Sequence, residues 1–242
     1  MNLLQHKFGN GHHDFFKDII MASTKQRKSL KLFERFSIDD IRSTLGLKRL
    51  KQHSTLDKWL NTSVTFTPAQ QEQIEYHRNN LLEHIERWNE QELQLFFISH
   101  ILGMVNFEGE EYRAFAQRQI QADIGDITIG GRIDFLVAMG YGEPKQPFFF
   151  LHEYKKERGT DSDPLAQVLA AMAAAQVLNR NLPKQPNPLY GCYVLGRNWF
   201  FVILDGTTYT VSNAFNAASE DLVQIVAILR ETAERIRTFV EG

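Results

Sequence analysis

The chain has 242 residues, 43% of them hydrophobic, one cysteine and a formal net charge of -2. That length and apolar content suffice for one sizeable core, or for one domain with a small appendage. Lone Cys192 excludes an intramolecular disulfide and a thiolate zinc cluster and suits a reducing compartment, and no apolar run approaches a membrane span or a signal stretch. A cytoplasmic protein without membrane association is expected.

The first segment, residues 1–60, reads as a helical, moderately apolar N-terminal extension, with Ser37 capping a short helix that ends near Gly46. Charge is uneven along the chain. Residues 1–58 hold 12 Lys and Arg against 6 Asp and Glu, while residues 59–242 hold 15 against 23. The basic excess gathers in Lys25, Arg27, Lys28 and Lys31, then in Lys48, Arg49 and Lys51. Phosphate-binding arms and solvated helical faces share this pattern.

Residues 61–242 read as one α/β domain. Thr67-Pro68 opens a long helical stretch whose apolar face is Ile74, Leu81, Leu82, Ile85 and Trp88, then Leu93, Phe97, Ile101 and Met104, with a bend near Asn89. Short extended segments follow at 113–122, 132–138 and 148–154, separated by glycine and proline turns, and these predict a three-strand meander. Asp163-Pro164 launches an alanine-rich helix over 165–179. Strands are predicted at 190–195, 199–204 and 207–211, the last two joined at Asp205-Gly206, and an amphipathic helix over 219–240 closes the chain. A mixed sheet with helices on both faces accounts for this order.

Chemistry concentrates where the apolar run Phe148-Phe149-Phe150-Leu151 ends in His152-Glu153-Tyr154-Lys155. Strand alternation puts Glu153 and Lys155 on one side and His152 and Tyr154 on the other. Asp134, the one acid in the strand Gly131–Ala138, stands on the neighbouring strand of the meander. Two carboxylates and a lysine converging at a sheet end suit a hard divalent cation. Glu143-Pro144-Lys145 repeats the acid-x-lysine spacing but lies in a glycine- and proline-rich loop. His77 and His84 sit two helical turns apart and His12-His13 is a doublet, yet no zinc spacing is present. Asp123 and Asp126 read as turn residues, and the aromatics at 148–150 and 199–201 as core.

A helix with an acid, a strand with Asp134, a strand ending in Glu153-Tyr154-Lys155, a helix and a further strand together resemble the PD-(D/E)XK, or restriction-endonuclease-like, nuclease superfamily. The likeness covers about residues 85–205. Asn89-Glu90 followed by Phe97-Ile98 and Ile101-Leu102 is similar to the opening helix of the nuclease domain in type I restriction motor subunits and their stand-alone relatives. Gly131-Arg132-Ile133-Asp134-Phe135 is similar to their Asp-bearing strand, and Leu195-Gly196-Arg197-Asn198-Trp199 to the hairpin that follows. The whole chain resembles a bacterial family carrying these elements behind a helical N-terminus. Two positions depart: Ile133 stands where proline commonly precedes the aspartate, and Gln167 is followed four residues on by Ala171 rather than an aromatic.

The resemblance implies a three-layer restriction-endonuclease-like core with a central mixed β-sheet. It implies Mg²⁺ or Mn²⁺ held by Asp134, Glu153 and the backbone carbonyl of Tyr154, with Glu90 as a further ligand, direct or through water. Lys155 would position or deprotonate the attacking water, its pKa lowered by the cation, and Gln167 would be auxiliary. Glu92 lies on the same helix as Glu90. The implied reaction is phosphodiester hydrolysis of nucleic acid, DNA ahead of RNA, in restriction, defence or repair. The alternative is a nuclease-fold protein that no longer cuts and serves as a nucleic-acid-binding or protein-interaction module. The acidic balance of residues 59–242 offers no DNA groove, so the basic N-terminal segment, a second copy in a homodimer or a partner subunit would have to supply one.

Overall fold

A computed structural model describes residues 28–155 and 163–242. Strand β1 (Ser29–Leu32) comes first, then helix α1 (Ile38–Ser43), in which Ser37 and Asp40 exchange side-chain and backbone hydrogen bonds as a capping box. Strand β2 (Lys48–Arg49) and helix α2 (Ser54–Leu60) complete the basic segment. The expected helical extension over residues 1–60 is therefore corrected for 28–60, which is mixed. Ser-Leu-Lys-Leu and Lys-Arg are too short to declare themselves as strands; each extends because a distant strand offers it a hydrogen-bonding edge. Residues 1–27, with Lys25, Arg27 and His12-His13, lie outside the described part.

Helix α3 (Pro68–His84) starts at a Thr67–Gln70 capping box with proline in its first turn. The chain breaks after it, as expected near Asn89, and Asn89 caps helix α4 (Glu90–Leu93), which continues through a π-turn over Gln94–Ile98 into helix α5 (Ser99–Gly103). Ile74, Leu81, Leu93, Phe97 and Ile101 are buried. Leu82 is not: it is 49% exposed, because one residue beyond Leu81 is about 100° round the helix.

The meander forms as predicted from β3 (Tyr112–Ile124), β4 (Ile127–Met139) and β5 (Lys145–Lys155), all antiparallel. Helix α6 (Pro164–Asn179) follows, with the Asp163 carboxylate accepting from the amides of Leu165 and Ala166. Strand β6 (Leu189–Leu195) lies parallel to β5, and β7 (Asn198–Asp205), β8 (Thr208–Val211) and the short β9 (Phe215–Asn216) are laid on antiparallel. Helix α7 (Asp221–Glu241) ends the chain. Among the described residues nine strands join one mixed sheet, with β2 beyond β8 at its far edge. Because β3 pairs along the whole of β4, β1 and β5 share the other edge of β4, one after the other.

Both faces are covered. The small side chains of α6 let it lie close to the sheet against Ile133, Leu136, Val202 and Leu204. Helices α2, α3, α5 and α7 cover the opposite face against Val137, Phe150, Trp199 and Phe201. No helix among the described residues is long and apolar enough to cross a membrane.

Trp59 ties the early segment into this core. Its ring is fully buried, edge-on to Tyr190 (4.8 Å between centroids) and Phe201 (5.2 Å). Its indole N–H donates to Thr232 Oγ1 at 3.0 Å, joining α2 to α7. Replacing Trp59 by Ala leaves a large cavity, with Thr232 keeping only its bond to the Ile228 carbonyl, so the unfolding free energy should drop by about 3–5 kcal/mol in urea titrations. An unchanged midpoint would mean that residues 54–60 fold apart from the sheet.

His152 behaves as packing, as its face of the strand predicts. It is fully buried, stacked on Trp199 (5.3 Å) and Phe150 (6.2 Å), and neither ring nitrogen has a hydrogen-bond partner. Burial pushes its pKa down to about 3. Between that value and the ordinary 6.5 the unfolded chain binds the extra proton, so stability falls as pH drops through this window. From pH ~7 to ~5 the wild type should lose about 2 kcal/mol more than His152→Leu. Parallel losses in the two proteins would contradict a buried neutral imidazole.

Candidate functional site

Pairing between β4 and β5 ends at Phe135↔His152, and β1 pairs β4 only as far as Gly130. Residues 131–134 thus have no ladder partner on that edge, and Asp134 sits at the mouth of the gap. Its carboxylate takes the place of a strand. Tyr154 N–H donates to Asp134 Oδ2 at 3.2 Å, and Gln117 Nε2 donates to Oδ1 at 2.7 Å. Gln117 lies between the Ala116↔Phe135 and Arg118↔Ile133 pairs with φ 56°, a left-handed conformation that non-glycine residues seldom adopt. Its side chain also reaches the Tyr154 phenol. Sequence reasoning missed Gln117; its only signal is that the β3–β4 register sets it opposite Asp134.

Glu153 follows on β5, with no exposed surface. Gln167 Nε2, from the first turns of α6, donates to Glu153 Oε2 at 2.7 Å, while Oε1 is buried without a hydrogen-bond partner. Burial, then the nearby Asp134 carboxylate, pushes the Glu153 carboxyl well above the usual range, with Lys155 pulling the other way. Asp134 acts on Glu153 in two directions, its carboxylate raising the Glu153 pKa and its backbone N–H lowering it.

Lys155 Nζ lies 3.2 Å from Glu90 Oε1. Desolvation lowers the pKa of this lysine, but Glu90, Asp134 and Glu153 together outweigh it and leave the pKa raised. As the site stands, Lys155 is a held cation, opposite in direction to the lowering expected beside a metal. Glu92, the other acid of this helix, accepts from the Asn89 backbone N–H at 2.8 Å and so belongs to the cap; Glu90 is the acid that faces Lys155.

The expected set of Glu90, Asp134 and Glu153 does not close on one point. Among the described residues no group of three or more His, Cys, Asp or Glu side chains could hold a metal ion. Asp134 and Glu153 form a pair, and Glu90 is set against the Lys155 ammonium because that cation is the nearest charge able to satisfy it. The pair nonetheless fits a hard cation. Its donors are carboxylate oxygens, and the orphaned buried Oε1 of Glu153 is a group whose cost a cation would relieve. On the α5 side a cavity of about 360 Å³ abuts Asp134 but not Glu153, lined by Gln94, Ser99, Asn106, Phe107, Asp134 and Tyr154.

The remaining candidates fall elsewhere. Glu143 pairs with Arg118 at 3.4 Å, and Lys145 begins β5 at the end remote from Glu153. His77 is buried and stacked on His100 at 5.0 Å, and His84 packs against Trp88. Asp123 accepts from Thr128 beside the Gly125-Asp126 turn. The rings at 148–150, 199 and 201 are buried, and Phe200 is half-buried against Tyr193. Comparison with protein-family models and with curated proteins gives no match to this chain.

A buried carboxyl with one unpartnered oxygen is held at the expense of stability. In Glu153→Gln the new amide can donate to Asp134 while still accepting from Gln167, so the metal-free protein should gain about 1–3 kcal/mol. A lower melting temperature for this variant in the presence of a chelator would show that Glu153 is satisfied in the native state.

Proposed function

We propose that the chain is a metal-dependent phosphodiesterase acting on nucleic acid, DNA ahead of RNA, on a restriction-endonuclease-like core. The observation that carries this reading is the Asp134–Glu153 pair at the point where β5 parts from β4, with Lys155 two residues on and Gln167 bracing Glu153. Asp134, Glu153 and the Tyr154 backbone carbonyl would hold Mg²⁺ or Mn²⁺, which when bound would polarise a phosphate oxygen and acidify a coordinated water.

The chain's own residues do the rest. Gln117 and the Tyr154 N–H fix both oxygens of Asp134, so its orientation is set before substrate arrives. Gln167 fixes one oxygen of Glu153 and leaves the other available. Lys155, protonated and half-buried, offers a positive charge and the two donors that Glu90 does not take to the phosphate, and Glu90 aims it. Loss of this charge leaves the developing negative charge on the phosphoryl oxygens uncompensated.

With linear, circular and single-stranded DNA or RNA and Mg²⁺ or Mn²⁺, the wild type should cut at least one substrate. Lys155→Ala and Asp134→Asn should each reduce the rate by about 10²-fold or more. Equal cleavage by wild type and Lys155→Ala would remove the assignment. One observation favours the second reading, a binding module that does not cut: Glu90 and Lys155 neutralise one another at 3.2 Å. Absence of cleavage, with no divalent-ion binding by calorimetry that depends on Asp134 and Glu153, selects it.

A further inference from the structure

Strand β2 carries Lys48 and Arg49 on the outermost edge of the sheet, followed by Lys51, and all three side chains are exposed. No carboxylate makes an ion pair with any of them among the described residues. Several other cations near the sheet are committed: Lys28 to Asp123, Lys31 to Asp40, Arg118 to Glu143. Arg49 is set opposite Tyr209, which is buried in the cluster beneath α6. That cluster includes Tyr193, whose sheet partner is Glu153. Arg49, Tyr209, Tyr193 and Glu153 therefore lie on the α6 side of the sheet, where all but Arg49 are buried. Burial and the Asp163 carboxylate raise both phenols, and the Arg49 guanidinium opposes that rise.

The separation of the strip from the pair limits what could join them. From β5 to β2 is four strand spacings, roughly 19 Å. Along the strands, Leu189, level with Arg49 through Leu204 and Tyr209, is four residues from Tyr193, or about 13 Å. The diagonal is about 23 Å, or about seven base-pair steps of a duplex at ~3.4 Å rise each. A mononucleotide cannot span this distance. A polynucleotide can.

We infer that Lys48, Arg49 and Lys51 form a phosphate-binding track that holds the backbone of a polynucleotide whose scissile bond lies at Asp134 and Glu153. The placement of the scissile bond rests on the proposed nuclease reading; the track itself does not. Exposed cations on an edge strand also discourage strand-to-strand aggregation, and that role alone predicts self-association, not lost affinity, when they are removed.

The test compares wild type with a variant carrying Lys48→Ala, Arg49→Ala and Lys51→Ala, both in chelator so that nothing is cut. Fluorescence anisotropy is read on labelled strands of about four and about sixteen nucleotides, single and duplex, across a salt series. The longer strand should bind the variant about tenfold or more weakly, with the slope of log K against log salt reduced by about 2. The short strand, with fewer phosphates to engage, should lose less affinity than the longer one, and thermal melts should coincide because the three side chains are exposed. Unchanged affinity and slope for the longer strand overturn the track, as does self-association of the variant with affinity retained. Cleavage with Mn²⁺ is then scored separately. Track-dependent binding without cleavage removes the nuclease reading and keeps the track, whereas cleavage indifferent to the three substitutions removes the track and keeps the nuclease.

Discussion

The Glu153 carboxyl has no exposed surface and one oxygen without a partner, and the elements around it are arranged by that constraint. Strand β5 cannot turn it outward. The strand is paired to β4 on one edge and to β6 on the other, and its opposite face is filled by His152, Phe150 and Tyr154. Helix α6 can come close enough to bring Gln167 within 2.7 Å because Ala166, Ala170 and Ala171 stand around it. A bulkier helix would stand further off and leave both oxygens orphaned.

Asp134 is exposed to chemistry for a related reason. A continuous ladder along β4 would have given the Tyr154 N–H a backbone carbonyl to bond. Because β1 stops at Gly130 and β5 leaves after Phe135, the amide instead bonds a carboxylate. Phe33 enforces the boundary from the β1 side: it lies so close to Gly131 that a Cβ there would meet its ring at 2.8 Å. The gap is thus built by two strands that share one edge and do not meet.

The meander, helix α6 and the closing helix were legible because each shows its own period and its own punctuation. Asp163-Pro164 and Asn89 stop and start helices through chemistry confined to a few residues. The link between Glu153 and Lys155 was also legible, since strand alternation places residues two apart on one side. What could not be read were relations across distant parts of the chain. Gln117 matters through its antiparallel register with Asp134 and a positive φ, neither of which has a compositional mark. Strands β1 and β2 owe their conformation to partners far along the chain, so local pattern suggested helix. Glu90 was separable from Glu92 only once the Asn89 cap claimed the latter.

The same two short strands constrain the order in which the molecule is completed. Ser29 pairs with Ile127, 98 positions later, and Lys48 with Thr208, 160 positions later. Contacts of such separation must close long loops before they return any stabilisation. The segment over 28–60 is therefore synthesised before its partners and can be placed only after β4 and β8 exist. Through most of chain elongation the aromatic rings of Phe33 and Trp59 remain without the surfaces that later receive them.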